Sequence, residues 1–430
     1  MPTARGWMVA ALGLGLIGAG LAFGATPLQQ LGFALFGLVG LAVAVVRLGR
    51  HELTIERSVS PVRTGAGQPV TVTVDIQNSG RGAAPLLLLE DRLPRPLDGN
   101  ARFAVNGIEA RGQRTTSYVI RPRRRGQYEI GPLEMSFVDP FGLARLSDTR
   151  AATNAFLVHP AVEHLALPRE LGRNQSHAMS AVRQPTGIRG DDFYALREYV
   201  PGDDLRKIHW PSTGKRDRFM IRQEEIPWQT RTTILIDDRK AVHEGGGGFS
   251  SFERAIDAAA SLADLYQRSG YSYRLLGTEG EQLPNGRGAD HLMQALDLLT
   301  TWTSVAPSDT GLDPLVARLT ELESGRSAEG TLVLISARLT TDVAAAMVRA
   351  RRRFRQLMVI SFPAHRFGAA PTKERWKGEG ETMDAVAVLS RAGVRALVLG
   401  PEDSLMGAWA SLAATHSRGG DRWAPRPELA

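Results

Sequence analysis

Between Arg5 and Arg47 run 41 residues without one Asp, Glu, Lys, Arg or His. A bilayer core is crossed by about 20 apolar residues per helix, so the stretch is long enough for two passes. Trp7 to Phe23 is one apolar run, and Leu28 to Val46, polar only at Gln29-Gln30, is the other. Gly24-Ala25-Thr26-Pro27 parts them, and a proline suits the first helical position because its missing N–H has no partner there. Residues 1–50 therefore read as a transmembrane helical hairpin. A cleaved signal peptide fits less well, because an h-region of about 7–15 residues is not followed at once by a second full-length run. Arg5 precedes the first run, Arg47 and Arg50 follow the second, and the turn carries no charge. The positive-inside rule then keeps both flanks in the cytoplasm, and with them everything after residue 50.

At 430 residues and 43% hydrophobic, two or three folded units are expected and wholesale disorder is not. The absence of cysteine excludes a disulfide scaffold, a thiolate zinc site, an iron–sulfur cluster and a cysteine nucleophile. The formal charge of +7 invites a nucleic-acid reading, but only five of the 52 basic residues are lysine, and no basic stripe with interleaved aromatics occurs. No nucleic-acid partner is expected.

Residues 51–160 alternate apolar and polar in short segments: Leu53-Thr54-Ile55, Val70 to Ile76, Tyr118-Val119-Ile120 and Tyr128-Glu129-Ile130. Turn-formers lie between them, at Asn78-Ser79-Gly80, Asn106-Gly107 and Gly131-Pro132. Period two with such punctuation predicts antiparallel strands in an all-β, sandwich-like domain. The run Arg121-Pro122-Arg123-Arg124-Arg125 reads as a solvated loop between strands, and Asp139-Pro140-Phe141-Gly142-Leu143 as a structural turn.

From about residue 231 to 430 the pattern changes. Ile234-Leu235-Ile236, Tyr273 to Leu276, Leu332 to Ile335, Leu357 to Ile360 and Ala396 to Leu399 are apolar without alternation, as in parallel strands buried on both faces. A helical stripe from Phe252 to Tyr266 opens with the capping box Ser250 to Glu253 and closes at Gly270. Further helices are predicted over 289–301, 341–354 and 382–392, which makes an α/β doubly wound domain. Ligands of such sheets sit beyond the carboxyl ends of the strands, which points to Asp237-Asp238 and Ser336-Ala337. The arginines at 349, 351, 352, 353 and 355 read as a cationic helix end.

Residues 161–230 link the two soluble units and hold the densest motif, Gly190 to Trp210. Pro201-Gly202 forms a turn whose Asp203 can cap a short helix, and Arg197, Glu198, Asp203, Asp204 and Arg206 can form bidentate carboxylate–guanidinium pairs. Arg197-Glu198-Tyr199, Pro201-Gly202-Asp203-Asp204 and Arg206 to Trp210, in that order, resemble the signature of the bacterial family called domain of unknown function 58. The resemblance extends to the hairpin, the strand-rich region and the C-terminal domain. It implies that this last domain is similar to von Willebrand factor A. It also implies an inner-membrane location, with partners among MoxR-type AAA+ ATPases and other membrane or envelope proteins.

Domains of that type commonly hold a divalent ion with an Asp-x-Ser-x-Ser element, a threonine from a later loop and an aspartate after a central strand, because hard cations need several oxygens. Here Asp237 keeps the first position, but Arg239 and Ala241 replace the serines and Ala337 stands where the aspartate would follow Ser336. Thr310 is the nearest match for the threonine. The resemblance thus implies a degenerate metal site, and no metal or other cofactor is expected.

Phosphate-loop, zinc-protease and nucleophile-elbow elements are missing. His209, oriented by Asp203 or Asp204, is a conceivable general base, and it carries the alternative reading of a membrane-bound cell-envelope hydrolase. No nucleophile pairs with it at readable spacing, and the nearby Arg189, Arg197 and Arg206 can neutralise the aspartate pairs. The preferred reading is a noncatalytic membrane-anchored scaffold, organised by Arg197, Glu198, Tyr199, Gly202, Asp203, Asp204, Arg206 and Trp210.

Overall fold

The computed structural model describes residues 1–414 apart from 49–52, 85, 96, 98–100, 106, 151, 167–194, 199–207, 209, 217, 224–230, 307–312, 325–328 and 369–371. The chain divides into two units, Met1–Ala161 and Val162–Ala430.

The first unit opens with helices α1 (Ala4–Phe23) and α2 (Thr26–Leu48), each long and apolar enough to cross a membrane. Thr3 caps α1 by accepting from the Gly6 N–H, and Gly24, at φ +67°, ends it. Small residues let the two helices approach closely. A Cβ at Gly32 would lie 2.6 Å from the Gly13 carbonyl oxygen, and one at Gly13 2.9 Å from that of Gly32. Gln29, the polar residue near the turn, donates to the Gly20 carbonyl at 3.0 Å.

Ten strands follow: β1 (Leu53–Ser60), β2 (Arg63–Gly65), β3 (Val70–Asn78), β4 (Leu86–Asp91), β5 (Arg102–Val105), β6 (Gln113–Ile120), β7 (Gly126–Ile130), β8 (Leu133–Val138), β9 (Arg145–Arg150) and β10 (Asn154–His159). They form sheets β1-β3-β6, β2-β10-β7 and β5-β4-β8-β9. On β3, Val70, Val72, Val74 and Ile76 are all buried while Thr71 and Gln77 are exposed, which is the alternation read from the sequence. Val74 and Ile76 join one core with Leu87, Leu89, Met135 and Phe137, and Val70 and Val72 join another with Ile130, Phe156 and Val158. One face of β3 thus packs against both other sheets. A polar cluster pins this core. Arg57 meets Asp91 at 2.5 Å and Asn154 at 2.7 Å, and the Tyr118 hydroxyl donates to the other Asp91 oxygen at 2.7 Å.

The second unit contains β11 (Ala195–Glu198), α3 (Trp210–Arg216), β12 (Met220–Gln223), β13 (Arg231–Ile236), α4 (Ser251–Arg268), β14 (Ser272–Leu276), β15 (Glu281–Gly286), α5 (Ala289–Thr301), α6 (Pro314–Ser324), β16 (Glu329–Ser336), α7 (Thr341–Arg349), β17 (Phe354–Ser361), α8 (Thr372–Arg391), β18 (Arg395–Val398) and α9 (Leu405–Ala414). Its main sheet runs β15-β14-β13-β16-β17-β18, parallel except for β15 at the edge. Helices cover both faces. Phe252, Ala259 and Leu262 of α4, Leu299 of α5 and Trp409 of α9 pack with Ile234 and Ile236, while Leu319 of α6, Met347 of α7 and Leu389 of α8 pack with Leu235 and Leu334. Ser250 starts α4 by accepting from the Phe252 N–H at 3.1 Å, and truncating its buried Leu262 to Ala would cost about 2–5 kcal/mol.

The five apolar runs read as parallel strands pair in parallel, and β15, which carries no such run, adds antiparallel to β14 at the edge. Three sequence expectations need correction. The helix expected over 341–354 ends at Arg349, since Phe354 already belongs to β17. The helix expected over 382–392 begins at Thr372. Residues 163–166, expected in a linking segment, pack with the second unit: Leu165 is in its core, Glu163 accepts from the Met406 N–H at 2.8 Å, and the Trp409 indole donates to the Ala166 carbonyl at 2.7 Å.

Candidate functional site

The carboxyl ends of β13 and β16 lie side by side, with Ile236 opposite Ile335. That register sets Asp237 beside Ser336, whose hydroxyl donates to Asp237 Oδ2 at 2.8 Å. Asp237 is wholly buried, and Arg239 supplies its counter-charge through a fork of Nε to Oδ1 at 2.6 Å and Nη2 to Oδ2 at 2.9 Å. The remaining arm, Nη1, reaches Asp313 Oδ1 at 2.7 Å. Asp313 in turn accepts from the Leu315 N–H at the start of α6, so one guanidinium ties the sheet edge to a helix end. Burial alone would lower the Arg239 pKa, but its hydrogen bonds to Asp237 and Asp313 and their negative charge outweigh it and the net shift is upward.

Asp238, also buried, faces the other way. Its Oδ1 accepts from the N–H and hydroxyl of Thr278, and its Oδ2 from the Trp302 indole at 3.1 Å. Gly277 is needed beside it, since a Cβ there would come within 2.5 Å of Asp238 Oδ2. Among the described residues, the donors that satisfy this carboxylate are neutral.

His243 completes the edge. Its Nε2 lies 2.6 Å from the Asp237 carbonyl and its Nδ1 3.0 Å from Ser251 Oγ. Burial lowers its pKa, so the neutral ring donates from Nε2 and accepts the Ser251 hydroxyl proton at Nδ1. Ser251, at the start of α4, is wholly buried, and its oxygen also receives the Glu244 N–H at 3.1 Å. The Ser–His pair therefore closes a loop onto a helix and leaves its oxygen no path to a substrate.

The positions singled out in the sequence distribute unevenly. Asp237, Arg239 and Ser336 converge. Ala241 is exposed on a short turn and Ala337 is buried, its carbonyl accepting from the Ala364 N–H at 2.9 Å. The backbone of Arg197 and Glu198 lies in β11, antiparallel to β12, opposite Ile221 and Met220. Trp210 opens α3, exposed, with its ring edge-on to Phe219 at 6.4 Å. Tyr199, Gly202, Asp203, Asp204, Arg206, His209 and Thr310 lie outside the described residues. Asp313, His243, Thr278 and Trp302 were not read as site residues. Only Asp313 carried a signal, an acidic cap followed by proline at a helix start. The arginine cluster reaches across to its neighbours: Arg349 and Arg352 lie 3.4 and 3.3 Å from Glu323, and Arg353 donates to the Leu322 carbonyl at 2.8 Å.

Among known proteins, the chain is similar to the uncharacterized protein YeaD of Bacillus subtilis strain 168, with 22% identity over 298 residues, 67% of this chain and 71% of that protein. Weak structural likenesses reach the CARDB domain of a Pyrococcus furiosus protein, solved in complex with di-metal ions (18% identity, 25% of this chain, 93% of that one, TM-score 0.20). Another is the complex of zinc 2-glycoprotein with prolactin inducible protein from human seminal plasma (11% identity, 24% of this chain, 91% of that one, TM-score 0.18). At such TM-scores neither bears on the fold. Residues 57–157 match the model of a BatD DUF11-like domain, and residues 195–363 match the family described as protein of unknown function DUF58.

Proposed function

We propose that the chain is a noncatalytic scaffold anchored in the cytoplasmic membrane by α1 and α2, with its soluble units in the cytoplasm and a MoxR-type AAA+ ATPase as partner. The observation that carries this reading is the internal fork of Arg239 on Asp237 at the carboxyl edge of the sheet, where an α/β protein of this topology would otherwise take a ligand. With the second unit read as a von Willebrand factor A-like domain, this edge is the place for a divalent ion, and its residues do not fit one. Both Asp237 oxygens are engaged by a guanidinium, and Ala241 and Ala337 offer no side-chain oxygen. The unit then acts through its surfaces, and the segment around Arg206 and Trp210 supplies the partner contact or organises it.

The test uses the full chain in detergent or nanodiscs with the MoxR-type ATPase of the same genome. Binding that is weakened by Arg206→Ala and unaffected by His209→Ala supports the scaffold. Hydrolytic turnover by the purified chain alone, lost in His209→Ala, overturns it.

A further inference from the structure

The turn Asp139-Pro140-Phe141-Gly142-Leu143 is fastened to the first turn of α1. Thr3 donates from its backbone N–H to the Leu143 carbonyl at 2.8 Å and from its hydroxyl to that of Gly142 at 2.7 Å. The Met1 ammonium donates to the Arg145 carbonyl at 2.7 Å, and Pro2 pairs antiparallel with Ala144. Gly6 sits so close to Leu143 that a Cβ there would collide with the carbonyl oxygen of that residue. The turn therefore stands level with Thr3 to Gly6, where the apolar run begins.

The same turn holds one apolar ring out to its surroundings. Asp139, buried, accepts from the N–H groups of Phe141 and Ala144, its carbonyl takes the Gly142 N–H at 3.0 Å, and Gly142 adopts φ +67°. With the backbone so tied, Leu143 and Ala144 are buried while Phe141 is 65% exposed, as exposed as Trp7 on α1. An aromatic ring displayed by a fixed turn is a poor arrangement in water and a good one at the boundary between headgroups and acyl chains. The exposed charges beside it, Arg5 and Arg145, have the sign that suits anionic headgroups.

We propose that this turn is a second membrane contact, in which Phe141 enters the lipid headgroup–acyl boundary alongside α1. The inference rests on the reading of α1 and α2 as a membrane anchor. It assigns the turn a lipid partner and makes the first unit a body held at two points on the bilayer.

Because the chain has no cysteine, a single introduced one is the only site for a nitroxide label. Three full-length variants suffice: Phe141→Cys, Leu12→Cys on the exposed face of α1, and Val119→Cys. Val119 pairs with Thr71, the partner of Ser60, at the end of β1 farthest from α2, so it reports the water-facing side. Each is reconstituted in phosphatidylcholine–phosphatidylglycerol vesicles, and collision with oxygen is compared with collision with a water-soluble nickel chelate. Oxygen should dominate at positions 12 and 141 and the chelate at 119. Oxygen dominance at 12 with chelate dominance at 141 overturns the lipid contact and leaves the anchor standing. Chelate dominance at 12 overturns both.

Discussion

Arg239 grips Asp237 through two parallel hydrogen bonds only two residues along the chain, and the carboxylate it grips has no exposure to solvent. Removing one partner of a buried pair strands the other charge, a change that costs about 3–5 kcal/mol. Arg239→Ala should therefore destabilise the second unit by about that amount in urea denaturation. The double change Asp237→Asn with Arg239→Met, which removes both charges, should cost much less. Equal losses in the two variants would mean that the ion pair is incidental.

Magnesium titration addresses the same edge. The wild-type Tm is expected to stay constant on addition of millimolar magnesium, because the guanidinium holds the position a cation would need. A rise in Tm that disappears in Asp237→Ala would contradict this.

His243 makes stability depend on pH in a definite direction. Burial lowers its pKa from the ordinary value of about 6.5, so just below that value the unfolded chain binds a proton that the folded chain refuses. The groups facing the ring are Asp237, Asp238, Arg239 and Ser251, and their combined effect does not reverse the shift. The stabilising contribution is complete above about pH 6.5 and is lost as the pH falls into the window below it. Thermal melts from pH 8 to pH 5 should show a decline that is shallower in His243→Gln. Parallel curves for the two proteins would remove His243 from the account.

In the first unit the informative residue is Tyr118. Burial first, and then its hydrogen bond to Asp91, raise its pKa, so the hydroxyl remains a donor throughout the accessible pH range. Tyr118→Phe deletes one hydrogen bond to a buried carboxylate that Arg57 still holds, and should cost about 1.5–3 kcal/mol in denaturant unfolding. Arg57→Met, which leaves the charge without its cation, should cost more. The reverse order would argue against Arg57 as the main support of Asp91.

Features governed by local chemistry were legible in the sequence. The two apolar helices, the alternation along β3, the Ser250 cap and the apolar strands β13, β16 and β17 each follow from neighbours within a few positions. Features set by contacts across the fold were not. The Leu86–Leu89 run gives no alternation, so β4 could not be told from a buried helix segment, although register with β5 and β8 makes it a strand. At the candidate site Asp237, Arg239 and Ser336 stand out in the sequence, but Arg239 only as the residue in place of a serine, whereas its guanidinium is the counter-ion of Asp237. Trp302 and Thr278 reach Asp238 from 64 and 40 residues away, and no spacing rule connects them.

The short stretch from Glu163 to Ala166 has a practical consequence. It supplies the acceptor for the Trp409 indole and the carboxylate that meets the first N–H groups of α9. An expression fragment begun at Ala195, where the family match starts, would strip both and leave the Trp409 indole of α9 as an orphaned donor against the unit's core. The smallest piece of this unit worth producing therefore begins upstream of the family match, at Val162, and screening of truncations should start there.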